Sequence, residues 1–142
     1  MLITLFVTAL IVALSFLIHF EALRRLAAFM TSSHGRFRMS LLVCMLGAMV
    51  AHVIEIWVFG LGYCFLTESE QFGSLEGGFT HSFADCGYYS FVTYTTLGFG
   101  DLIPKGPVRF LTGMEALTGL LLITWTASFM YIQMQQAWKT TD

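Results

Sequence analysis

The sequence predicts an all-α membrane protein in which three spanning helices are joined by short polar connections, with one re-entrant helix and loop between the second and third. Composition is the first indication: 56% of the 142 residues are hydrophobic and only 11% are charged, which does not fit a soluble domain of that length. The charges are also clumped, leaving three apolar stretches that can each reach across a bilayer at roughly 20 residues per span. The third indication is the segment 82–104, which is too short and too polar at its end to cross and must enter and return.

The first helix is expected over 1–30. Residues 2–18 carry no charge, and Glu21, Arg24 and Arg25 follow. A cleaved signal peptide would place its basic residues before the apolar run, so this segment reads as a retained anchor. A cytoplasmic loop at 31–38, a second helix at 39–66 and a third at 107–138 follow, with Pro107 suited to a first helical turn. A short cytoplasmic tail, 139–142, ends the chain, and no soluble sensing domain is expected within it. Arg24, Arg25, Arg36 and Arg38 lie between the first two helices, whereas residues 67–82 contain Glu68, Glu70 and Glu76 and no Lys or Arg. The positive-inside rule then puts the amino terminus outside and the carboxyl terminus inside; Lys139 agrees, and Lys105 and Arg109 on the outer side run against it. Net charge is only -2 with no basic run, so no nucleic-acid partner is expected.

Within the re-entrant segment, Ser82 and Asp85 form an S-x-x-D cap, so a short helix is expected over 82–95. Gly98, Gly100 and Pro104 then stop it. Irregular backbone at membrane depth is tolerated only when buried in protein or lining a watery cavity. Backbone carbonyls turned toward one axis can replace an ion's hydration shell, and Gly98 and Gly100 permit the positive φ such a ribbon needs. The Thr96 hydroxyl would add the innermost ligand.

The string Thr95-Thr96-Leu97-Gly98-Phe99-Gly100-Asp101 resembles the Thr-Thr-Val-Gly-Tyr-Gly-Asp signature of the potassium channel pore-domain family, and the likeness extends over residues 64–136. Tyr88 and Tyr89 stand where members carry aromatics packed around the filter, Leu102-Ile103-Pro104 resembles the usual exit, and Gly119 lies near the hinge glycine of the inner helix. The resemblance implies a pore domain at 39–138 with outer helix, pore helix, filter (96–100) and inner helix, assembled as a homotetramer with four-fold symmetry. It implies passive conduction of K+, with Thr96, Leu97, Gly98, Phe99 and Gly100 forming the filter, carbonyls from 96 to 99 facing the ion, and Thr95 and Asp101 supporting it. Leu97 replaces the common Val, and Phe99 replaces the common Tyr, removing a hydroxyl that would brace the ribbon. Membrane lipids are the other implied partners, no cofactor is implied beyond the permeant ion, and the location is a cell membrane, the inner one if the source is bacterial.

Other residues are open to plainer readings. Trp57, Trp125, Tyr131 and Trp138 are anchors or packing residues, interfacial anchoring being the default for Trp138. Leu120, Ile123, Ala127 and Tyr131 share a helical face that either lines the cavity or packs. Cys44 reads as a buried thiol. Cys64 and Cys86 fall near the outer surface, where a disulfide is open to them if that face is oxidising; two free thiols is the preferred reading, since sequence does not fix pairing. His19, His52, Glu55 and Glu115 are ionisable groups in or near spans, where such groups are costly. Helical rise puts Glu115 about 12 Å and Glu55 about 15 Å below their outer helix ends, so Glu115, Glu55 and His52 are expected to form a polar cluster behind the filter. The plainer alternative is that one carboxylate bonds a hydroxyl and fixes the pore helix. A metal-dependent membrane enzyme would need more converging ligands than the His52–Glu55 pair and lacks a His-Glu-x-x-His or Cys-x-x-Cys string. A nonconducting adaptor would not need the glycines, and a weakly selective cation channel is the nearer alternative.

Overall fold

The computed structural model describes residues 1–32 and 37–139, without the side chains of residues 32, 37, 38 and 137–139. Helix α1 spans Leu2–Ser32, α2 Phe37–Thr67, α3 Phe83–Tyr94 and α4 Val108–Lys139, and α1, α2 and α4 are each long and apolar enough to cross a membrane. The side chains of Arg36, Arg38, Trp138 and Lys139, used above for orientation and anchoring, lie outside the described residues.

Strand β1, Ser74–Gly77, pairs antiparallel with β2, Leu102–Lys105, with Leu75 opposite Pro104 and Glu76 opposite Ile103. This hairpin-like pairing was not expected from an all-helical reading. It forms because the chain entering α3 and the chain leaving the loop run side by side, and their backbone groups need partners.

Helix α1 packs on α2 and α4. Its buried positions are Thr4, Thr8, Ile11, Ser15, His19 and Leu23, while Ile3, Phe6, Leu10, Leu14, Leu17 and Phe20 are exposed. Small and polar residues thus line one stripe, which lets helix backbones approach closely where lipid supplies no hydrophobic drive between them. Leu and Phe face outward, as a lipid-facing surface requires.

The core lies between α2, α3 and α4, around Ile56, Phe59, Tyr63, Tyr89, Tyr94 and Leu111. A disulfide joins Cys64 near the end of α2 to Cys86 in the first turn of α3, with Cα atoms 5.8 Å apart. The preference for free thiols is therefore corrected: the carboxyl end of α2 meets the amino end of α3, which spacing in sequence does not reveal. Cys44 is a buried free thiol.

Gly119 sits inside an unbroken α4, where a Cβ would lie 2.1 Å from the carbonyl oxygen of Tyr94. Its missing side chain is therefore a packing requirement, because it lets α4 touch the carboxyl end of α3. Gly119→Ala is expected to force the two helices apart and to cost about 1–3 kcal/mol, as overpacking does, read as a lower melting temperature of the purified protein in detergent.

Candidate functional site: the re-entrant loop and its buried supports

Helix α3 begins where Ser82, in extended conformation, accepts a hydrogen bond on its side chain from the Asp85 backbone N–H at 3.1 Å. Asp85 Oδ2 in turn accepts from the backbone N–H and the hydroxyl of Thr80 at 2.8 and 2.6 Å. Those Thr80 bonds hold the Asp85 carboxyl below its ordinary value, keeping a negative charge at the positive end of the helix.

At the other end, the helix is closed by the loop itself. The N–H groups of Leu97 and Gly98 both donate to Val92 O, at 3.0 and 3.2 Å, and that of Thr96 donates to Thr93 O at 2.9 Å. The donors of the loop are thus turned back to satisfy carbonyls that a helix end leaves unpaired. Among the described residues no backbone N–H donates to a carbonyl of residues 96–100. Thr96, Gly98 and Gly100 have φ of 58°, 53° and 78°, whereas Leu97 and Phe99 do not have positive φ. Left-handed residues at every second position are costly for a residue with a side chain, so Thr96 is the strained member and the glycines are its tolerated neighbours.

Residues 95–101 are all exposed in the single chain, including the apolar side chains of Leu97 and Phe99. The carboxyl-terminal end of the loop is fixed by the Tyr88 hydroxyl, which donates to Asp101 Oδ2 at 2.7 Å. Tyr89 reaches Thr112 of α4 at 3.1 Å and packs edge-on against Tyr63. A groove lined by Tyr88, Tyr89, Thr96, Gly98 and Thr112 separates the loop from α4.

The profile of a family described as "ion channel" matches residues 40–136, more than half of the chain. The chain belongs to this ion-channel family. The match includes nearly all of α2, whereas the resemblance read from the loop outward began only at residue 64. No curated protein matches the channel significantly. Membership points to a channel rather than an enzyme.

Behind the channel's loop lie two fully buried carboxylates, Glu115 of α4 and Glu55 of α2. They do not form the single cluster expected. Glu115 accepts from the Tyr63 hydroxyl and lies within hydrogen-bond reach of the Ser90 hydroxyl, which also contacts Ile56 O at 2.6 Å. Glu55 accepts from the Tyr94 hydroxyl and faces His52 Nδ1 at 3.2 Å and His19 Nδ1 at 3.0 Å. Depth along the helices was similar, but rotation about α2 and α4 sends each carboxylate to a different position on α3. His19 was the residue missed as a member: it stands on a separate helix, and no spacing along the chain links it to Glu55.

Ser90 and Tyr94 are one turn apart on α3, so each carboxylate holds one turn of the same short helix. Ser90→Ala would leave Glu115 short of a donor in a site closed to water. The expected loss is about 1–3 kcal/mol, with near-normal coupling restored only if Glu115 is also replaced; a double-mutant cycle of Ser90→Ala with Glu115→Gln in reversible unfolding measures it.

Proposed function

We propose that four copies of this channel surround one axis and conduct K+ passively through the carbonyls of Thr96, Leu97, Gly98 and Phe99. The observation that carries the reading is the loop backbone. In an ordinary extended chain successive carbonyls point to opposite sides; inverting φ at every second residue is how an L-chain can turn them to the same side. The loop has that alternation, the N–H groups of Thr96, Leu97 and Gly98 are committed to α3, and its carbonyls have no described backbone donor. Carbonyl rings of this kind can stand in for the hydration shell of an ion.

A single chain supplies one such ribbon, and the exposed Leu97 and Phe99 side chains need cover, which neighbouring copies provide in this arrangement. Leu120, Ile123, Ala127 and Tyr131 are exposed along α4 and face the inner cavity on this reading. Asp101 at the mouth, with Glu68 and Glu70 in the connection between α2 and β1, raises local cation concentration. Glu76 contributes less than its charge suggests, because Lys105 Nζ lies 3.5 Å from it. The cell membrane, with the amino terminus outside, is the location that fits the arginines between α1 and α2.

In liposomes the reversal potential is expected to follow the K+ gradient and to be nearly indifferent to Na+. Gly98→Ala would place a Cβ at positive φ and is expected to abolish conduction while leaving the protein folded, since nothing lies within 4 Å of that Cβ. A reversal potential that moves equally with Na+ would replace this reading with a weakly selective cation channel.

A further inference from the structure

Among the described residues, one group of side chains has the make-up of a metal site, and it lies away from the loop. His19 of α1 and His52 and Glu55 of α2 offer ligand atoms that are all within 4.8 Å of one another. His19 and Glu55 are fully buried and the His52 side chain is largely so.

With Glu55 ionised and both rings neutral, the group is short of one electrophile. Glu55 Oε1 faces His19 Nδ1, and Glu55 Oε2 faces His52 Nδ1 while accepting from the Tyr94 hydroxyl, whose oxygen itself lies 3.0 Å from His52 Nδ1. An ionised carboxylate has no proton to give, so both Nδ1 atoms carry theirs. In neutral rings both Nε2 atoms are then bare lone pairs. They converge on a single hydroxyl, Thr126 Oγ1 of α4, at 3.0 Å from His52 and 3.3 Å from His19. That hydroxyl has one proton and can satisfy one ring only.

A metal ion satisfies both lone pairs at once. With bonds of about 2.0–2.1 Å, the ligands of a tetrahedral zinc ion stand ~3.3 Å apart, close to the two spacings converging on Thr126 Oγ1. Histidine ligands also characteristically donate their second ring N–H to a carboxylate, which fixes tautomer and orientation; here one carboxylate serves both rings and adds negative charge beside the ion. The two imidazoles suit zinc and neighbouring divalent transition metals, whereas Mg2+ and Ca2+ favour all-oxygen shells. We propose that His19 Nε2, His52 Nε2 and Thr126 Oγ1 bind a Zn2+-class ion, with a water molecule as fourth ligand and Glu55 orienting both rings. The ion ties α1 to α2 and α4, and through Glu55 and Tyr94 to the residue next to the loop.

The purified full chain, dialysed in detergent at neutral pH against buffered micromolar Zn2+, is expected to retain about one ion per chain by elemental analysis, as a single tetrahedral site would. Co2+ should replace it and give the visible absorption of a four-coordinate complex. Glu55→Gln should weaken affinity roughly 10–100-fold, the usual effect of losing an orienting partner. His19→Gln combined with His52→Gln should abolish retention, and His81→Gln should leave it unchanged. Wild-type protein that stays metal-free overturns the proposal without recourse to any variant. Retention unchanged in the double histidine variant overturns it too, by placing the metal elsewhere. Conduction is not read in this experiment, so its failure is separate from that of the channel reading.

Discussion

The fold depends on keeping a short helix and an irregular loop at membrane depth with no polar group facing lipid. Water is not available there to repair a missing bond, and each unmatched group costs several kcal/mol. Glu115 and Glu55 meet that demand from opposite sides by bonding Ser90 and Tyr94, one turn apart on α3. The loop completes it by returning the N–H groups of Leu97 and Gly98 to Val92 O. Gly119 permits α4 to close on Tyr94, and the Cys64–Cys86 disulfide holds the amino end of the same helix α3. Much of what surrounds α3 is therefore a device for fixing its position.

That arrangement also gives the first helix a part beyond anchoring. The family match starts at residue 40, so α1 is an addition to the matched region. It contributes His19 to the Glu55 group and lays Thr4, Thr8 and Ser15 along α2 and α4. Among the described residues the hydroxyls of Thr4 and Ser15 have no hydrogen-bond partner, so close packing of small groups rather than hydrogen bonding accounts for this stripe. The carboxylate that holds Tyr94 thus faces a helix which the rest of the family match does not include.

The sequence made the three spanning helices legible because apolar length is a property of consecutive residues, and the short helix was legible through Ser82 and Asp85. The irregular loop was legible for a similar reason: the glycines that take positive φ, Gly98 and Gly100, stand close together in the chain. Relations between helices were not. Helical rise gave the depths of Glu55 and Glu115, but their rotations about α2 and α4 decide whether they meet, and periodicity in a helix apolar on most sides leaves rotation undetermined. His19 and the disulfide were obscured in the same way, since each depends on which helices are neighbours. The β1–β2 pairing arose from two segments that looked like loop because Pro104 and two glycines punctuate them.

The central claim is that residues 96–99 present their carbonyls to one axis as ion ligands. The most direct measurement is a crystal structure of the assembled protein grown with Rb+, whose anomalous scattering marks ion positions without reference to the protein. The account predicts a row of anomalous peaks on the four-fold axis, within coordination distance of the carbonyl oxygens of Thr96, Leu97, Gly98 and Phe99. Four-fold assembly with no axial peak between those residues, or with the carbonyls turned away from the axis, would contradict it.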